Sequence, residues 1–177
     1  MGDAPVRFEE HDRALHWRDA PLAELTVGEL YAILALRQRV FVVEQSCPYL
    51  DADGYDERAV HVWAEVEVDR AEHEPARVPT VLAVARVFAP RIKYDEASIG
   101  RVVTAPEARR TGLGRVLVAR AIAVIEARFG AVPIKLSAQA HLERFYSEFG
   151  FVTVSDRYME DDIPHVAMRR EAPLEAR

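Results

Sequence analysis

A chain of 177 residues, half of them hydrophobic, can bury one core without metal or disulfide support, so a single domain over 1–177 is expected, with 171–177 as a frayed tail. The formal net charge of -6 argues against non-specific nucleic-acid binding, and a lone cysteine, Cys47, excludes an internal disulfide framework and any multi-cysteine zinc site. No apolar run approaches the roughly 20 residues of a membrane-spanning helix. Around Glu9, Glu10, His11 and Asp12 the basic-then-apolar order of a secretion signal is missing, so a cytoplasmic protein with small-molecule partners is expected.

In chain order, Thr26–Arg39 predicts a helix: Thr26 and Glu29 have the spacing of a capping box, and Leu30, Ile33, Leu34 and Arg37 recur at helical intervals. A strand is expected before it and a loop after it, in FVVEQSCPYLDADGYDE, where Pro48, Gly54 and five acidic side chains break the periodicity. Val60–Val68 alternates, with Val60, Val62, Ala64, Val66 and Val68 on one face and His61, Trp63, Glu65 and Glu67 on the other, the pattern of a half-buried strand. Beyond the polar stretch Asp69–Pro79, Thr80–Phe88 is expected to pair with it as an antiparallel hairpin. Ser98–Thr104 reads as a third strand, and Arg115–Phe129 as a helix with Val116, Leu117, Ala121, Val124 and Ile125 on one stripe. IKLSAQ is a short buried strand, His141–Phe149 a helix ended by Gly150, and Phe151–Ser155 and Pro164–Arg170 two last strands. The central strand–helix–strand unit requires a parallel pair inside a mostly antiparallel sheet, so the expected class is α/β (α+β), a mixed sheet flanked by helices.

The most informative stretch is Arg109-Arg110-Thr111-Gly112-Leu113-Gly114, between a strand and the first turn of a helix. Glycines there let the backbone curl until several N–H groups face one point, and the helix N-terminus adds partial positive charge. With Arg109, Arg110 and Arg115 nearby, that point suits a pyrophosphate. Neither the Walker spacing nor the dinucleotide fingerprint is present.

The pattern R-x-x-G-x-G resembles the acyl-CoA pyrophosphate loop of the GNAT superfamily of N-acetyltransferases. Just before it, Val102-Val103-Thr104 matches that family's central strand, whose bulged edge bonds the pantetheine arm and offers an N–H to the thioester carbonyl. Just after the helix, AQAHLERFYSEFGF resembles the second signature, in which a strand diverges and a helix carries a tyrosine. LRQRVFVVEQSCPYLDADGYD, His61-Val62-Trp63 and EDDIPHVAM are similar to the ElaA-type branch, so the resemblance spans nearly the whole chain, roughly Trp17 to Arg169.

The resemblance implies an acetyl-CoA-dependent N-acetyltransferase with a GNAT-like sheet, no metal, and an unassigned amine acceptor. By the same resemblance Val102, Val103, Thr104, Arg109, Arg110, Thr111, Gly112, Leu113, Gly114 and Arg115 hold acetyl-CoA. Tyr146 would protonate the departing thiolate, its plainer role being packing beside Phe145 and Phe149. Gln139 stands where an asparagine often touches the cofactor, or else caps its strand. A non-catalytic acyl-CoA-binding or sensing module would carry the same loop. A homodimer is one assembly that an edge strand allows.

A protonated amine must lose a proton before attacking a thioester, which calls for a carboxylate or imidazole. Glu44 leads, with His141 and His165 behind it; Cys47 is a spectator. Asp51, Asp53, Asp56 and Glu57 are not a calcium loop, since the glycine comes too early and Val62 stands where the terminal carboxylate belongs. They read as a solvated loop or as a negative rim that attracts a cationic amine.

Overall fold

The structure, a computed structural model, describes residues 15–66 and 79–172. The capping box forms as expected: Glu29 N donates to Thr26 Oγ1 at 3.2 Å and Thr26 N donates to Glu29 Oε2 at 2.8 Å, starting helix α1 (Val27–Gln38) just after strand β1 (Leu15–Pro21). The chain does not enter a loop after Arg39. A π-helical turn continues through Arg39–Glu44, and this wider winding, frequent at functional sites, delivers Phe41 and Gln45 to the cavity described below.

The sheet contains β2 (Val60–Val66), β3 (Thr80–Phe88), β4 (Ala97–Thr104), β5 (Ile134–Gln139), β6 (Val152–Thr153), β7 (Tyr158–Glu160) and β8 (Ile163–Arg170). Its order is β1-β2-β3-β4-β5-β8-β6, with β7 paired to β8, and only the β4–β5 contact is parallel. The mixed α/β architecture is therefore the one expected. Helix α2 (Leu113–Phe129) begins two residues earlier than expected and buries Leu113, Leu117, Val118, Ala121, Ile122 and Ile125, while Val116 and Val124 flank that stripe at its margin.

Three local readings need correction. The β2 strand is buried on both faces, not half-buried: α2 packs against it, and Asp56, bonded to Arg37 of α1, lies against His61; His61 and Trp63, on the face read as polar, are 0% exposed. The helix after β5 is shorter than expected, a 3-10 turn at Ala140–Leu142 followed by α3 (Glu143–Ser147), although Gly150, at φ +82°, does end the segment. Three short strands rather than two close the sheet, since the acidic turn at Asp161 and Asp162 folds β7 back onto β8. Glu67 and Val68, the Asp69–Pro79 connection up to residue 78, and the tail from residue 173 lie outside the described residues.

Two irregularities shape the site. Val84 faces Val103 while Arg86 faces Gly100, so β4 carries one extra residue, and Arg101 within that bulge adopts φ +51°. Strands β4 and β5 pair only at Ala97↔Ile134 and Ser98↔Lys135. Beyond that point they part and leave a wedge.

Candidate active site

On one side of the wedge lies a cavity of about 390 Å³, walled by Val102, Val103 and Thr104 of β4, by Arg109, Arg110, Gly112, Gly114 and Arg115, and by Leu142, Phe145 and Tyr146. Gly112 is the residue before α2, at φ +89°, a conformation that side chains rarely adopt, and a Cβ there would point into open space. The room over the loop at the helix N-terminus fits an incoming pyrophosphate, although Leu113 N already donates to Thr111 Oγ1 and Arg115 N to the Gly112 carbonyl. Thr111 and Leu113 do not line the cavity. Thr111 Oγ1 donates to the Ala108 carbonyl at 2.8 Å and shapes the turn, while Leu113 is core.

The arginines here already hold carboxylates. Arg109 donates to both oxygens of Glu44, at 2.7 and 2.8 Å, and Arg115 pairs with Glu148. The hydrogen bonds from Arg109 hold the Glu44 carboxyl below its ordinary pKa. Glu44 lines neither cavity, and His141 is exposed on the 3-10 turn, also outside both. Neither of these two expected acceptor-side groups is brought to the wedge.

The second cavity, about 410 Å³, occupies the other side, between the β4 bulge, β5, the π-helical turn and the β7–β8 hairpin. Val102, Leu142 and Tyr146 line both cavities, so the two spaces meet at these residues. Tyr146 is 6% exposed and packs edge-on to Phe145 and Phe151, with ring centroids 5.1 and 6.1 Å away. Burial pushes its pKa up to about 12, which keeps the phenol protonated at neutral pH.

Cross-strand register puts His165 of β8 opposite Gln139 of β5, and both line the second cavity. The Gln139 amide donates to Gln45 Oε1 at 3.1 Å, linking β5 to the end of the π-helical turn. His165 Nδ1 lies 2.8 Å from the Ile163 carbonyl, which can only accept, so Nδ1 carries the proton and Nε2 the lone pair. The imidazole stacks on Tyr158, whose hydroxyl is 2.6 Å from Ser137 Oγ, and Ser137 donates to Glu160 Oε2 at 2.7 Å. Cys47, also in the lining, is buried, and burial raises its thiol pKa.

Three of the four acids in the acidic run, Asp51, Asp53 and Asp56, form neither a solvated loop nor a negative rim, while Glu57 is exposed. Arg37, 0% exposed, donates to Asp51 at 2.8 Å and to Asp56 at 2.5 Å, and Arg86 donates to Asp53 at 2.7 and 2.8 Å. Arg101, from the bulge, donates to Asp51 at 2.7 Å and to Asp53 at 3.3 Å, and stacks over Tyr49 and Phe41. Burial alone would raise the Asp53 and Asp56 carboxyls, but hydrogen bonds from Arg86 and Arg37 outweigh it and hold both below the usual carboxylate range. This network was missed in the sequence. Its signal was an arginine inside each of three apolar segments, AILALRQ, LAVARVF and SIGRVVT, each needing an acidic partner to be buried.

Comparison with known proteins agrees with this geometry. The family model for the acetyltransferase (GNAT) domain matches residues 82–172. The chain belongs to the GNAT acetyltransferase family. It is 37% identical to the ElaA protein of Escherichia coli K12 over 161 residues, 89% of this chain and 97% of ElaA. The crystal structure of E. coli ElaA superposes with a TM-score of 0.75 over 89% of this chain and 99% of that one. An acyl-CoA N-acyltransferase from Pseudomonas aeruginosa, 42% identical, superposes at 0.76 over the same shares.

Proposed function

We propose that this chain, acting as one domain, transfers the acetyl group of acetyl-CoA directly to an amine, with both substrates bound at once. The observation that carries this reading is the meeting of the two cavities at buried Tyr146. Acetyl-CoA lies in the loop-side cavity, its pyrophosphate over Gly112 and Gly114 and its thioester beside Val103 and Tyr146. The acceptor lies in the second cavity.

The amine nitrogen attacks the thioester carbonyl carbon, and a backbone N–H near Val103 stabilises the developing oxyanion. Before that attack the ammonium proton goes to His165 Nε2, whose lone pair is presented by the bond at Nδ1, and the second proton that nitrogen sheds on collapse returns through solvent to the Tyr146 phenolate. The carbon–sulfur bond then breaks and the thiolate takes the Tyr146 proton. Holding both substrates in line can supply roughly 7 to 11 kcal/mol of the barrier reduction.

Calorimetric titration with acetyl-CoA, followed by thiol release across an amine panel, tests this. Arg109→Ala and Gly112→Asp should each weaken acetyl-CoA binding at least about ten-fold. Tyr146→Phe should lower turnover about 100-fold and leave binding nearly unchanged. Binding without turnover on any amine would favour a sensing module, and no binding by the wild type would remove the acetyltransferase reading.

A further inference from the structure

We infer that the acceptor carries a carboxylate as well as its amine, and that Lys93 and Arg101 receive it; this rests on the second cavity being the acceptor site. The three aspartates of the network, of which Asp53 also lines that cavity, have every oxygen already engaged by an arginine. Asp51 accepts from Arg37 through one oxygen and from Arg101 through the other. Asp53 accepts from Arg86 through both oxygens, and Asp56 is shared between Arg37 and Arg86.

The charge count points the same way. Four cations, Arg37, Arg86, Lys93 and Arg101, face three carboxylates, Asp51, Asp53 and Asp56, leaving one positive charge in excess. His61, which touches Asp56, does not change the count, because burial lowers its pKa and keeps it neutral. Arg37 and Arg86 are sealed at 0% exposure, whereas Arg101 and Lys93 open onto the cavity at 20% and 27%. The positive excess of this network therefore reaches the cavity through these two side chains.

Lys93 shows the deficit most directly. Its ammonium lies 3.6 Å from Asp53 Oδ2, beyond hydrogen-bond length, and 4.4 Å from the centre of the Tyr55 ring. Burial and then the neighbouring Arg86 pull its pKa below the ordinary value, as expected of a cation short of counter-charge. The same lining also carries acids: Glu160 and Asp161 of the β7–β8 hairpin stand with His165. A bipolar acceptor satisfies both kinds of group, its amine end toward Glu160, Asp161 and His165 and its carboxylate toward Lys93 and Arg101. A diamine would instead set its second ammonium against two cations.

The test compares γ-aminobutyrate with putrescine, chains of similar length that differ in carrying a carboxylate or a second ammonium. Each is titrated by NMR into the CoA-bound protein, where no transfer occurs. γ-Aminobutyrate should bind at least ten-fold more tightly, Lys93→Met should abolish that advantage while CoA affinity holds, and Lys93→Arg should restore it. Equal or tighter putrescine binding, an advantage that survives Lys93→Met, or no binding of either probe while CoA still binds would each overturn the inference alone. Absence of CoA binding would overturn the acetyltransferase reading beneath it.

Discussion

Glu44 accepts from both terminal nitrogens of Arg109, at 2.7 and 2.8 Å. In the complex proposed above, a phosphate that takes the same nitrogens displaces this internal anion. Exposed pairs of this kind contribute up to about 1 kcal/mol, so Glu44→Gln should tighten acetyl-CoA binding about two- to five-fold. Calorimetry measures it, and weaker binding would show that Glu44 supports the loop rather than competing for it.

The acceptor-side base is testable by amine class. His165→Asn keeps a donor toward the Ile163 carbonyl and removes the Nε2 lone pair. Turnover on alkylamines should fall about 100-fold. Aromatic amines, already neutral at pH 7, should be affected far less. Equal losses on both amine classes would make His165 a structural residue.

The buried ion network sets the acid stability. Asp53 and Asp56 titrate lower folded than unfolded, so their stabilisation is complete above the ordinary carboxylate range and is lost as pH falls through their lowered folded values. His61 is lowered by burial, so the unfolded chain gains a proton that the folded one refuses once pH drops below about 6.5. The melting temperature should therefore be flat between about pH 7 and 8, decline below that window, and drop more steeply below about pH 4. Arg37→Met, which strands two buried carboxylates, should cost about 3 to 5 kcal/mol in urea unfolding at pH 7.

Local signals carried much of the fold. Thr26 and Glu29 announced the start of α1, and the apolar runs of β3, β4 and β5 were visible because they alternate or lie between turn residues. What escaped was set by tertiary context. His61 and Trp63 read as an exposed face because alternation cannot tell a strand with water on one side from one covered on both. The winding of Arg39–Glu44 carries no composition signal, and without it Glu44 could not be seen to turn toward Arg109 instead of the cavity. The arginine-glycine loop and Tyr146 were legible because their chemistry lies in contiguous motifs. The pairing of Asp51 with Arg101, fifty residues away, does not.

The short β4–β5 contact has a further consequence. Two residue pairs are the whole backbone seam between a half-sheet of β1 to β4 and another of β5, β8, β6 and β7. The first half, with α2, bears the phosphate loop; the second bears His165, Glu160 and Asp161. Substitutions in the second half can thus reshape what is recognised without breaking hydrogen bonds on which the first depends. The two cavities straddle this seam: Lys93 and Arg101 of the second cavity belong to the first half, while Phe145 and Tyr146 of the loop-side cavity follow β5, so the proposed substrates would meet where the backbone pairing is thinnest.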